Sequence, residues 1–122
     1  MAIGRIIRGI INLKYGRIKV MSEDIKLNLG EFVEAYEPKP LSRKSYYGKC
    51  IVERWTGGRV LRSYGTAVAV EVDGVVYNTW GGWSATTGRH IADVFGLNKR
   101  AYEACERADL WHGTLTIGGV YA

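Results

Sequence analysis

Apolar residues recur at helical spacing at the start of the chain. Ile3, Ile6, Ile7, Ile10, Ile11 and Leu13 share one side, with Arg5, Arg8, Asn12 and Lys14 elsewhere on the wheel. The pattern predicts an amphipathic helix over residues 1–15, weakened by Gly4 and Gly9. So short a helix is unstable alone in water and must pack on something. Docking on its own domain, joining copies of itself and lying on a membrane surface are the three open readings. Ile3, Ile6, Ile10 and Leu13 fit the a/d spacing of a self-associating helix, and a homo-oligomer is expected.

Beyond it the period changes to two. Residues 17–21 and 25–29 read as short strands, and Ile25, Leu27 and Leu29 alternate with Lys26 and Asn28. The stretch EAYEPKPLSRK, broken by Pro38 and Pro40, reads as a loop or crossing segment. From Tyr46 to Trp80 the pattern is β throughout. YYGKCIVERW is one strand, Thr56-Gly57-Gly58 a turn, RVLRSY the next strand, and Gly65 a bend or bulge. TAVAVEV and VVYNTW are joined by Asp73-Gly74, a strong hairpin signal. A two-residue turn there sets Val72 against Val75, Val70 against Tyr77 and Val68 against Thr79. On the other face it sets Glu71 against Val76, Ala69 against Asn78 and Ala67 against Trp80.

The Val face is the expected core face, covered by the helix that follows. The Ala face leaves room for a pocket, a subunit interface or the N-terminal helix. A helix is predicted from Thr86 or Thr87 to Phe95, ending at Gly96, and Asn98 caps a second, KRAYEACERAD. The alternating TLTI of the tail adds a last strand. The expected fold is α+β: one antiparallel β-meander sheet packed with two helices from the C-terminal half, plus the short N-terminal helix, with residues 16–122 as a single domain.

Composition narrows the function classes. The chain has 122 residues, enough for one domain with a modest core. No apolar run approaches the ~20 residues that span a bilayer, and no signal peptide is seen, so a cytoplasmic protein without a membrane partner is expected. Cys50 and Cys105 read as two small buried thiols, and no Cys/His cluster suggests a metal. The net charge of +5 is laid out in blocks. Residues 1–22 carry five basic groups and no acid, residues 23–37 five acids and only Lys26, and residues 38–62 seven basic groups against Glu53. Such blocks suit anionic partners such as phosphates, nucleotides or nucleic acid, or form a plain solvated surface.

The segment YNTWGGWSATTGRHIAD, Tyr77 to Asp93, is where chemistry is expected. A glycine loop enters a hydroxyl-rich helix start, whose N–H groups and dipole favour an anion. Ser84, Thr86 and Thr87 supply donors. Arg89 stands where a helix prefers an acid, and His90 follows it. Trp80, Trp83 and Tyr77 flank the loop and suit a stacked base, worth ~1–3 kcal/mol. Asn78 lies beside Trp80, and Arg54, Arg59 and Arg62 on the preceding strands are placed to meet phosphates. The plain alternatives are a Thr N-cap, core aromatics and an Arg89 salt bridge. His90 and His112 have no nucleophile or orienting acid at a diagnostic spacing, and no nucleophile elbow, P-loop, dinucleotide fingerprint or HExxH occurs. No catalytic residue, cofactor or metal is expected.

Three blocks in order, KSYYGKC, LRSYGTAVA and GGWSATTGRHI, resemble an uncharacterised family of small phage and prophage proteins. Its pattern is S-Y-x-G-K-A, S-Y-x-T-x-V-A and an aromatic followed by S-x-T-T-x-R-H-I. The resemblance spans about Lys44 to Val94 and departs at Cys50, where the pattern has Ala. By position it marks Ser45, Tyr46, Gly48, Lys49, Ser63, Tyr64, Thr66, Ser84, Thr86, Thr87, Arg89 and His90. It implies phage origin and no particular activity.

The expected function is therefore a phage-encoded, non-enzymatic protein that sequesters an anionic nucleotide-type ligand, such as a host immune signal. Its expected site is Asn78, Trp80, Trp83, Ser84, Thr86, Thr87, Arg89, His90 and Arg62. Two other readings stand beside it: an inhibitor that binds a host defence protein directly, in the manner of an anti-CRISPR, and a small nucleic-acid-binding protein.

Overall fold

The computed structural model describes residues 25–38 and 48–118. The helix expected over 1–15, the strand over 17–21, and Ser45 and Tyr46 lie outside the described residues. Within them the elements run β1 Ile25–Asn28, β2 Phe32–Tyr36, β3 Cys50–Trp55, β4 Gly58–Ser63, β5 Thr66–Val72, β6 Val75–Asn78, α1 Ala85–Phe95, α2 Lys99–Ala104, β7 Ala108–Trp111 and β8 Thr114–Ile117. The fold is α+β. The single meander expected from the pattern is, however, two antiparallel sheets: five strands in the order β2-β3-β4-β5-β6 and three in the order β1-β8-β7.

Local chemistry sets most of the strand junctions. Asp73-Gly74 makes the expected turn, with φ of 52° and 79°, and pairs Val72 with Val75, Glu71 with Val76, Val70 with Tyr77 and Ala69 with Asn78. β6 ends there, so the expected pairs of Val68 with Thr79 and Ala67 with Trp80 do not form as ladder partners. Two further turns of the same left-handed kind join strands at Tyr64-Gly65 (54° and 84°) and His112-Gly113 (47° and 76°). Gly65 is thus a hairpin turn, with Ser63 opposite Thr66. The bulge lies three residues on: Leu61 pairs with Ala69 and Arg62 with Ala67, leaving Val68 as the extra residue.

Two corrections concern elements whose length the pattern misstated. Glu34 to Tyr36, read as loop, belong to β2, which pairs with β3. All five of its residues are exposed, so no alternation betrays it. The second helix stops at Ala104; Cys105 turns extended, and Ala108 opens β7 instead of facing inward from a helix.

The core has two layers because the central sheet is covered on both faces. On one face Val60, Val70, Val72 and Tyr77 pack against Leu29, Ala108, Leu115 and Ile117. The Val face is therefore covered by the three-stranded sheet and not by the following helix, since β8 supplies the alternating apolar side chains that a facing sheet needs. On the other face Cys50, Val52, Leu61, Val68 and Ala69 pack against Ile91 and Tyr102. The room above Ala69 is thus filled by α1 and by the Tyr102 side chain, while the bulge turns Val68 to this face and Ala67 to the Val70 face, against the expected alternation.

Candidate functional site

The site expected from the sequence sits where β6 hands over to α1. Asn78 organises the handover. Its side-chain oxygen accepts from the N–H groups of Trp80 (3.1 Å) and Gly81 (2.8 Å), and its amide donates to the Tyr102 carbonyl at 3.4 Å. Its backbone N–H donates to the Glu106 carbonyl and its carbonyl accepts from Arg107 Nε, tying the loop to the end of α2. Gly81 holds φ of 85°, and a Cβ there would strike the Arg107 guanidinium.

The two tryptophans turn inward from that loop. Both are half-buried and packed against the core layer beneath α1. The Trp80 ring lies over Gly82 and the Trp83 ring over Gly88, each closer than any side chain at the glycine would permit. Trp83 also stands 5.7 Å from the Tyr102 ring. Burial dominates at Tyr102 and pushes its hydroxyl up to about 12, while that hydroxyl donates to the Val68 carbonyl at 2.7 Å.

The helix begins at Ala85, one or two residues earlier than expected. Ser84 is its N-cap: its Oγ accepts from the Thr87 N–H at 3.1 Å and its carbonyl from the Gly88 N–H at 2.7 Å. The second of these is the helix's own first bond; the Thr87 N–H, one of the amide donors that an anion would use, is thereby taken. Thr87 and His90, one turn apart on the buried face, both reach Ser63 at the end of β4. Ser63 Oγ lies 2.8 Å from Thr87 Oγ1 and 2.9 Å from His90 Nδ1. Thr87, Ser63 and His90 are 5%, 2% and 0% exposed, so the three polar groups form one sealed network. Ser63 and His90 stand at the distance a nucleophile and its base require, but a substrate could reach Ser63 Oγ only by displacing packed side chains.

Three separated stretches of sequence meet at this point. Tyr64 follows Ser63 at the hairpin turn, its ring 6.2 Å from that of His90. Its N–H donates to the Lys49 carbonyl, and Lys49 Nζ sits 5.7 Å from its ring centroid. The pairing of Ser63 with Thr87 and His90 was not legible beforehand, because 24 and 27 positions separate the partners. The only signal was their shared presence in the sequence blocks.

The arginines do not gather at this site. Arg62 lies on the opposite face of the sheet, with Nε 2.7 Å from Glu53. Arg59 shares the α1 face but is held by Glu71 at 2.8 Å, beneath the Phe95 ring at 5.0 Å. Arg54 is paired with Glu34. Of the expected site residues, Ser84 and Arg89 are exposed and Thr86 partly so, whereas Asn78, Thr87 and His90 are buried in the interactions above. Burial, joined by the charges of Asp93 and Glu37, pushes the nearby Cys50 thiol from its ordinary 9.0 up to about 12, and Cys50 and Cys105 are both free thiols.

Among the described residues no three His, Cys, Asp or Glu side chains are gathered as a metal would need, and no helix is long and apolar enough to cross a membrane. No curated protein and no solved structure matches the chain. A family profile does match, over residues 37–110, which takes in β3 to β6, both helices and the sealed Ser63–Thr87–His90 network. With more than half of its length matched, the chain belongs to the DUF8033 family, a family of unknown function.

Proposed function

We propose that this protein acts by binding rather than by catalysis, and that its ligand is another protein. One observation carries the reading. β2 presents five consecutive exposed residues, and three of them are large and apolar: Phe32 at 52%, Val33 at 43% and Tyr36 at 38% exposure. Apolar side chains grouped on one exposed strand are the mark of a contact surface. The polar residues first expected to hold a small ligand are largely spent inside the fold. In the phage setting that the sequence blocks suggest, the partner would be a host defence protein met in the cytoplasm. A homo-oligomer assembled through residues 1–15 belongs to the same proposal, and light scattering with and without those residues tests it.

The test is retention of a partner from bacterial lysate by the immobilised full-length protein. A partner held by the wild type and lost with Phe32→Ser/Tyr36→Ser supports the reading, provided circular dichroism shows the variant folded. No partner, or one held equally by the variant, overturns it.

A second reading, sequestration of an anionic nucleotide, keeps one observation. Arg89 is exposed on α1 just past a first turn that carries no acidic residue, and Ser84 at the N-cap is exposed as well. It predicts a thermal shift with linear or cyclic nucleotides that Arg89→Glu abolishes. No shift with any of them sinks it.

A further inference from the structure

We infer that β2 is a docking edge for an extended, basic segment of a partner, which adds to the five-stranded sheet as a sixth strand. The inference rests on the protein-binding reading and names its mode.

β2 stands at the end of its sheet. It pairs with β3 on one side, and among the described residues no strand pairs with the other. An edge strand carries a row of backbone N–H and C=O groups ready to pair with another chain. All five residues of the strand are exposed, on both faces of the sheet. An incoming strand would therefore find side-chain contacts from Phe32, Val33 and Tyr36 in addition to backbone hydrogen bonds, the combination that strand-addition modules use.

Charge decides which strand fits. From Leu27 to Pro38 the chain carries Glu31, Glu34 and Glu37 and no basic residue, on a protein whose net charge is +5. The acids have some local company. Glu34 meets Arg54 on β3, a pair half-exposed on both sides, and Glu37 accepts from the Gly48 N–H. An exposed pair of that kind contributes little and can exchange partners.

The same acids argue against a second copy as the occupant. In the twofold antiparallel register that overlaps β2 fully with its own copy, Glu34 faces Glu34 and Glu31 faces Glu37. Like charges directly opposite each other destabilise a strand pair. The bulge between Phe32 and Glu34 adds to the disfavour for a flat, self-pairing edge. A strand bearing Lys or Arg at alternate positions meets neither obstacle.

The experiment uses fluorescence anisotropy with the full-length protein and three labelled decapeptides. The first alternates lysine with valine and threonine, the second has glutamate for lysine, and the third is the lysine peptide with alternate backbone amides N-methylated. The lysine peptide is expected to bind at least about tenfold more tightly than either of the others, and Glu31→Lys/Glu34→Lys is expected to remove about tenfold of its affinity. Equal binding of the lysine and N-methylated peptides overturns the inference, because surface charge alone then accounts for the affinity. If no peptide binds while the Phe32- and Tyr36-dependent lysate partner is retained, strand addition is wrong and protein binding stands. If both are lost, both readings fail. Dimers that Val33→Lys disperses would assign the edge to a second copy and overturn the inference.

Discussion

Ser63→Ala tests whether the sealed network beneath α1 holds the helix to the sheet. The substitution removes one oxygen and little volume, so cavity and packing terms are small. That oxygen serves both Thr87 Oγ1 at 2.8 Å and His90 Nδ1 at 2.9 Å, and the groups are at most 5% exposed, so water cannot replace it. A net contribution of about 1 kcal/mol for each buried hydrogen bond gives an expected loss of about 2 kcal/mol. For a domain of this size that lowers Tm by roughly 6 to 10 °C. Thr87→Val removes only one of the two bonds and is expected to cost about 1 kcal/mol. The double variant is expected to lose about 2 kcal/mol rather than the additive 3, because the Ser63–Thr87 bond can be broken only once. Urea unfolding followed by tryptophan fluorescence measures all three, with equal m-values showing that the comparison is fair. A Ser63→Ala loss below about 0.5 kcal/mol, or full additivity in the double variant, would refute the reasoning.

The remaining predictions use other parts of the core. Tyr102→Phe is expected to cost only about 1 kcal/mol, since the Val68 carbonyl that loses the hydroxyl still accepts from the Thr79 N–H at 3.2 Å. Tyr102→Ala is expected to cost about 3 to 5 kcal/mol in the same unfolding assay. Gly58→Ala drives a Cβ into the Glu71 backbone carbonyl, which cannot swing aside, and should cost about 2 to 3 kcal/mol by forcing β4 from β5. Stability should fall as pH rises above about 9. Cys50 is raised by burial from 9.0 to about 12 and Tyr102 from 10.0 to about 12, so the folded state holds protons that the unfolded chain releases. Each such group contributes a falling slope of up to about 1.4 kcal/mol per pH unit. Unfolding at pH 8, 10 and 11 measures it, and Cys50→Ala should make the fall between pH 9 and 10 shallower, the part left being that of Cys105, which burial also raises from 9.0.

How much of this was legible in the sequence depended on where each interaction's partner lay. The Asp73-Gly74 hairpin could be read with its register because two adjacent residues set the turn. Tyr64-Gly65 and His112-Gly113 adopt the same backbone, but neither is among the Asn-Gly, Asp-Gly or Gly-Gly pairs that signal such a turn, so the turns went unread. β2 was hidden because exposure of all its residues leaves no period to detect. The inward face of Val70 and Val72 was plain, whereas the strands covering it come from Ile25 and Ile117 at opposite ends of the described chain. At the site, the hydroxyl-rich helix start was recognised, but a threonine was expected to cap it where Ser84 does. What Thr87 and His90 do with their polar atoms was not, since Ser63 is distant in sequence and nothing in the helix itself announces it.

The three-stranded sheet has a consequence for how the protein must be made. Its middle strand is β8, which pairs Ile25 with Ile117 on one side and Ala108 with Ile117 on the other. The recognisable family span, 37–110, excludes both β1 and β8. A chain cut to that span would keep the Ser63 network yet leave Val60, Val70 and Tyr77 facing water. During synthesis the same state exists in passing: the central hairpins and both helices are complete while one whole core layer still awaits its lid. Contacts of such long sequence separation form slowly. The apolar face is covered only once β1 and β8 have paired, so that pairing is the step expected to end exposure to aggregation.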